Sequence, residues 1–168
     1  DTLSGRLCGA EALARWHCTK YGDVSPGEFI PLMEQSGLII PFGQWILSRG
    51  MAQCLEWCRF RPDFQISVNL SYIQLAQGDF ISFLRTALEE HSLAPSKIIL
   101  ELTETYLAKA EEDTLRMIAQ MKELGVKIAM DDFGVGYSSL FSLKSIPVDV
   151  VKIDRGFVKG ITSDLFNA

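Results

Sequence analysis

The feature that most constrains this chain is an alternation of short apolar runs of β character with helix-like segments, nearly every run ending on a polar or charged residue. Arg6 to Leu13 reads as a first strand, with Glu11 near its end. Ser25-Pro26-Gly27-Glu28 then supplies an N-cap serine, a proline at the first helical position and a glutamate at the third. That capping box opens a helix over Phe29 to Gln35, and Gly37 closes it. A second helix is expected from about Phe42 to Arg59, because Phe42, Trp45, Ile46, Ala52 and Leu55 form a stripe at helical period. Phe64 to Leu70 alternates apolar and polar residues at a period of two, the mark of a strand, with Asn69 near its end. A helix follows from Asp79 to His91, and Pro95 breaks the chain. Lys97 to Glu101 is a strand ending in a carboxylate, Asp113 to Leu124 is a helix stopped by Gly125, and Val126 to Met130 runs into Asp131-Asp132-Phe133-Gly134. A short helix or turn is expected around Ser138 to Leu143, then a strand over Val148 to Asp154 and a helix start near Phe157.

Strands alternating with helices imply an α/β fold with a parallel sheet and right-handed crossovers. The pattern leaves open whether the sheet is a flat doubly wound one or part of a closed barrel. Composition narrows the class. The chain has 168 residues, 48% hydrophobic and 22% charged, too apolar for a disordered segment. Its formal net charge of −5 carries no basic excess for holding a polyanion, so nucleic acid is not an expected partner and any phosphate must be bound at one local site. No stretch approaches a membrane span, and residues 1–6 contain no signal-peptide core, so a cytoplasmic setting is expected, including as the cytoplasmic part of a membrane-bound protein. Cys8, Cys18, Cys54 and Cys58 show no C-x-x-C spacing and only two histidines accompany them, His17 and His91. Cys54 and Cys58, four residues apart, could present two thiolates on one helical turn, but they are read as small buried hydrophobes rather than metal ligands.

The strand ends carry the chemistry. Glu11, Asn69, Glu101, Asp131 with Asp132, and Lys152 fall at or near the carboxyl end of five successive strands, the edge where parallel α/β folds bind ligands. Taken singly, each has an ordinary structural role: a loop hydrogen bond, a helix cap or a solvated charge. Taken together they form an unusual set. Four carboxylates at one rim repel one another unless some are protonated or a cation lies between them. An all-oxygen set that includes an asparagine carbonyl suits Mg²⁺, Mn²⁺ or Ca²⁺ better than zinc. The adjacent Asp131 and Asp132 suit a pair of ions sharing one carboxylate, as in two-metal phosphoryl chemistry.

Six segments, in order, resemble the EAL domain family of cyclic di-GMP phosphodiesterases. They are Glu11-Ala12-Leu13-Ala14-Arg15-Trp16, Ser25-Pro26 with Glu28-Phe29-Ile30-Pro31, Ser67-Val68-Asn69-Leu70-Ser71, Glu101-Leu102-Thr103-Glu104, Asp131 through Leu140, and Val151-Lys152-Ile153-Asp154. The resemblance implies a TIM-type (β/α)8 barrel that hydrolyses cyclic di-GMP to linear pGpG with two Mg²⁺ or Mn²⁺ ions, Ca²⁺ being inhibitory. It implies that Glu11, Asn69, Glu101 and Asp131 hold one ion and Asp131 with Asp132 the second. Lys152, Glu11 and Asp131 would be catalytic, with Lys152 orienting the attacking water. Arg15, Leu13 and Asp154 would lie on the substrate side, and Glu104 would hold the loop that follows Asp131-Asp132. Val135 stands where threonine is commonest in that loop.

The same resemblance covers strands two through six of eight. Relatives carry a Tyr-Gln-Pro strand before this region and strands with Ala-Glu-Gly-Val-Glu and Gln-Gly-Tyr motifs after it. The chain is thus expected to be an EAL domain truncated at both ends over residues 1–168, inactive by itself and part of a protein with fused sensory or GGDEF domains. A homodimer coupled through the Asp131-Asp132 loop is also implied. The alternative function is a non-hydrolysing cyclic di-GMP receptor, a class that usually loses metal ligands.

Overall fold

The computed structural model describes residues 1–76, 79–108, 110–135 and 146–159. Five parallel strands, β1 (Gly9–Ala12), β4 (Gln65–Asn69), β5 (Ile98–Thr103), β6 (Lys127–Phe133) and β7 (Val150–Ile153), form one sheet in the order β1-β4-β5-β6-β7. Each strand lies beside its predecessor in that sheet. A doubly wound sheet reverses direction at a switch point, whereas this order runs one way only, as in a barrel. The sheet is thus an arc of a parallel β/α barrel rather than an open doubly wound sheet.

Local chemistry explains the helices. α1 (Pro26–Ser36) is capped by Ser25, whose hydroxyl accepts the Gly27 N–H, while the Glu28 carboxylate accepts the Ser25 N–H at 3.2 Å. It ends at Gly37, whose φ of 75° is left-handed and costs glycine little. α2 (Ile39–Cys58) begins three residues earlier than the apolar stripe suggests, since Pro41 is tolerated in a first turn where N–H groups lack helical partners anyway. α4 (Phe80–Glu90) and α6 (Glu112–Glu123) fall within a residue of their expected limits.

α2, α4 and α6 cover one face of the sheet. Ile98, Leu100 and Ile128 from the strands meet Leu84, Ile118 and Met121 from α4 and α6 in a single core, all essentially without solvent contact. Burying each such side chain contributes about 1.5–3 kcal/mol of transfer free energy. Gly50 lets α2 lie close on β4, because a Cβ there would already touch Val68 and Ile66 at 3.4 and 3.5 Å.

Several short elements depart from the sequence reading. The first strand is four residues rather than eight, because its pairing with β4 begins at Gly9–Gln65. β2 (Trp16–Cys18) and β3 (Gly22–Val24) form an antiparallel hairpin that three-residue runs do not announce. Trp16 packs edge-on against Phe29 of α1, with ring centroids 5.8 Å apart, and Phe29 meets Phe42 of α2 at 6.2 Å. α3 (Tyr72–Ala76) and α5 (Glu104–Leu107) are one-turn helices directly after β4 and β5. β5 and β6 extend past Glu101 and Met130, placing Glu101 and Asp131 within the strands rather than at their ends. α7 (Arg155–Val158) starts two residues before Phe157. The segment expected around Ser138 to Leu143 lies outside the described residues. No helix among the described residues is long and apolar enough to cross a membrane.

Candidate active site

Strand register places the polar residues together. Side chains alternate across a strand, and the pairs Glu11–Ser67, Asn69–Glu101, Thr103–Asp131 and Ala129–Val150 put Glu11, Asn69, Glu101, Asp131 and Lys152 on one face, opposite the helix-covered core. All five sit toward the carboxyl ends. One carboxylate oxygen from each of Glu11, Glu101 and Asp131 lies within 4.8 Å of the others, a group able to hold a metal ion.

Lys152 lies among them. Its Nζ donates to Glu101 Oε2 at 2.6 Å, Asp131 Oδ2 at 3.0 Å and Glu11 Oε2 at 3.2 Å. Burial disfavours the ammonium, but the bonds to Glu101 and Asp131 outweigh it and hold its pKa well above the ordinary lysine value. Glu101 is 2% exposed, and burial raises its carboxyl above the usual range in spite of Lys152 and a hydrogen bond from Ser67. Ser67 was not singled out in the sequence, although its position two residues before Asn69 puts it on the same face. Asn69 Nδ2 donates to Glu11 Oε1 at 2.8 Å, and its Oδ1 accepts no hydrogen bond among the described residues. Three carboxylates and an amide oxygen, with no histidine or cysteine beside them among the described residues, fit a hard divalent ion.

Asp132 stands beside this group rather than in it. Its φ of 55° is left-handed, a conformation Asp tolerates better than most residues, and its N–H donates to Asp131 Oδ1 at 2.9 Å. Burial, then the charges of Asp131 and Asp154, raise its carboxyl pKa. The turn after it is anchored by Glu104, 1% exposed, whose Oε2 accepts the Gly134 N–H at 2.7 Å. Gly134 has a φ of 104°, and a Cβ there would lie 2.2 Å from the Phe157 ring. Both constraints require glycine. Asp154 Oδ1 is engaged at 2.7 Å with the Gly156 N–H, capping α7.

A cleft of about 720 Å³ opens beside the carboxylates, within the range of small-molecule sites. Asn69, Glu101 and Asp132 line its polar end, and Leu13 and Arg15 enter from the segment after β1. Ile30, Ile39 and Phe42 of α1 and α2 make its apolar wall. Arg15 is exposed, with Nη1 donating to the Ala14 carbonyl at 2.8 Å, and the hairpin that follows it is fixed by Trp16. Tyr72 and Tyr106, ring centroids 5.9 Å apart, stand at the cleft edge without any signal in the sequence to announce them. Nine of the ten expected site residues are thus placed at the carboxylate cluster or the adjoining cleft and turn. Asp154 lies on the β7 side, with its carboxylate committed to a helix cap.

Comparison with known proteins agrees with this geometry. The Pseudomonas aeruginosa protein MucR, a bifunctional diguanylate cyclase/cyclic di-GMP phosphodiesterase, is 41% identical over 162 residues, covering 96% of this chain and 24% of MucR. An uncharacterized Synechocystis protein is 42% identical over 162 residues, covering 96% of this chain and 23% of that protein. The chain therefore spans about a quarter of the length of these curated relatives. Among solved structures, the MucR phosphodiesterase in complex with c-di-GMP is similar with a TM-score of 0.89 at 41% identity, covering 97% of this chain and 66% of that one. The EAL enzyme Bd1971 in its cAMP and cyclic-di-GMP bound form gives 0.88 at 34% identity, covering 98% and 46%. The EAL domain family matches residues 1–165, and the chain belongs to that family.

Proposed function

We propose that this chain carries the metal-binding part of a phosphodiesterase that hydrolyses cyclic di-GMP to linear pGpG. The observation that carries the reading is the convergence of Glu11, Glu101 and Asp131 with Asn69 and Lys152 at one rim, next to a cleft that Arg15 enters. Glu11, Asn69, Glu101 and Asp131 would hold one Mg²⁺ or Mn²⁺ ion, and Asp131 with Asp132 would contribute to a second. When bound, such ions supply Lewis acidity at phosphate oxygens and make water a stronger nucleophile at neutral pH.

The residues of the chain do the rest. Arg15, at the cleft, would bind a non-bridging phosphate oxygen by charge-assisted hydrogen bonds, and Leu13 would lie against the ribose or base. Lys152 Nζ, poised among three carboxylates, would donate to the attacking water and orient its lone pair toward phosphorus, in line with the departing ribose 3′ oxygen. Glu104 holds the backbone at Gly134 and so fixes where Asp131 and Asp132 point.

Glu11, Asn69, Glu101 and Asp131, the donors the resemblance implies for one ion, are all present, which favours hydrolysis over a non-hydrolysing receptor. Isothermal titration of the full-length protein with cyclic di-GMP in chelator, paired with chromatographic detection of pGpG after adding Mn²⁺, tests the choice. A hydrolase forms pGpG only with metal. A receptor binds cyclic di-GMP and leaves it intact in both conditions.

A further inference from the structure

Gly43 lies inside α2 with nothing unusual about its backbone, yet it has no room for a side chain. A Cβ there would sit 2.0 Å from Gln74 Nε2 and 2.4 Å from Gln74 Cδ. Glycine weakens a helix interior, so its presence on α2 has a packing reason, and that reason is a polar side chain. Gln74 is 5% exposed, a buried amide lying across the α2 backbone.

The amide oxygen and the backbone N–H of Gln74 both bond to Ser71. Gln74 Oε1 accepts the Ser71 N–H at 3.1 Å, and Gln74 N–H donates to the Ser71 carbonyl at 3.1 Å. The Ser71 hydroxyl donates to Glu34 Oε1 at 2.6 Å and accepts the Ile73 N–H at 3.3 Å. One step earlier, the Leu70 N–H donates to the Glu101 carbonyl at 2.9 Å. Three helices thus converge on the corner that directly follows Asn69: Glu34 from α1, Gly43 from α2 and Gln74 from α3. Neither Glu34 nor Gln74 belongs to the carboxylate group at the rim.

We propose that Gln74, seated on Gly43 and joined through Ser71 to Glu34, is a positioning residue that holds Asn69 in its metal-facing orientation and thereby sets the metal affinity of the rim. The proposal rests on the metal-site reading given under Proposed function. Its physical basis is that Asn69, exposed at a strand end, has among the described residues only its side-chain bond to Glu11 to orient it. Its backbone direction is fixed by the corner after it. Buried hydrogen-bonded polar groups restrict the backbone they bind to few arrangements, and groups that orient metal ligands commonly change affinity by about tenfold to a hundredfold when lost.

The test measures Mn²⁺ binding to the full-length protein without substrate, from the electron paramagnetic resonance signal of the free ion. Gln74→Met keeps the volume on Gly43 and removes the acceptor. Glu34→Leu breaks the other end of the network, and Glu34→Gln retains an acceptor for the Ser71 hydroxyl. The expected result is a Kd for Mn²⁺ raised about tenfold by Gln74→Met and by Glu34→Leu, with Glu34→Gln restoring it. In an Asn69→Ala background, Gln74→Met should change the Kd by less than about twofold, because its effect runs through Asn69. The proposal is overturned if Gln74→Met or Glu34→Leu, whichever unfolds cooperatively, binds Mn²⁺ within about twofold of the unsubstituted protein, or if the Gln74→Met effect persists undiminished without Asn69. An unsubstituted protein that binds no Mn²⁺ overturns the metal site itself, and this proposal with it, a result distinct from the other two.

Discussion

Lys152 Nζ lies 2.6 Å from Glu101 Oε2, so a carboxylate whose side chain is 1% exposed has an ammonium group as its counter-charge. The same Nζ reaches Glu11 and Asp131, the other members of the candidate metal group. Removing it leaves three carboxylates facing one another. Lys152→Met should lower stability in chelator by about 1–3 kcal/mol, the cost of a buried charged group losing its partner. Mn²⁺ should raise the variant's thermal midpoint more than that of the unsubstituted protein, since nothing then competes for the oxygens. Turnover should be lost. Equal midpoints in chelator would show that Lys152 does not neutralise the group.

The Glu104 to Gly134 hydrogen bond ties β5 to the turn after Asp131 and Asp132. Glu104→Ala leaves that N–H without its acceptor and should cost about 1–3 kcal/mol by urea denaturation. Metal-dependent turnover should fall by about tenfold or more. Gly134→Ala should be worse for stability, since it combines a left-handed φ with a clash against Phe157. A Glu104→Ala protein with unchanged activity would remove the turn from the account.

Asp149 accepts the Ile128 N–H at 2.8 Å and pairs with Lys122, linking the approach to β7 with β6 and α6. Burial pushes its carboxyl up, but Lys122 and the Ile128 N–H outweigh it and hold the pKa below its ordinary 3.8. A depressed pKa stabilises the folded state fully above about pH 4 and loses that contribution as pH falls through the folded value. Asp149→Asn should therefore lower stability at neutral pH and flatten its decline below pH 4. An unchanged acid limb in chemical denaturation at several pH values would rule the pair out as a contributor.

Much of the fold was legible because its signals are local and strong. The capping box at Ser25 and Glu28, the Gly37 stop and the period-two run through Ile66 and Val68 each follow from side-chain chemistry over a few residues. The rim was legible for a different reason. Strand ends converge in a parallel sheet, so Glu11, Asn69, Glu101, Asp131 and Lys152 could be grouped before any geometry was known. The Trp16–Val24 hairpin, α3 and α5 were not, because three to five residues give no usable period, and their stability comes from contacts such as Trp16 on Phe29. The fit of Gln74 over Gly43 was also hidden. It depends on the approach of two helices, which no single segment encodes.

The cysteines offer a check on burial. Cys54 is fully buried at 4.0 Å from Cys58, and burial together with that neighbour pushes its thiol pKa up to about 12. At pH 8 the thiolate fraction of such a group is on the order of one part in ten thousand. Labelling with a thiol-reactive disulfide in native buffer should modify exposed Cys8 first and Cys54 last. Early modification of Cys54 would mean that α2 does not lie against β4 as described.

The most direct test of the central claim is turnover of cyclic di-GMP by the full-length protein, with and without divalent metal, for the unsubstituted enzyme and Glu11→Ala. The account predicts pGpG formation with Mg²⁺ or Mn²⁺, none in chelator, and a loss of about a hundredfold or more in Glu11→Ala. Robust pGpG formation without metal, or turnover unaffected by Glu11→Ala, would contradict it.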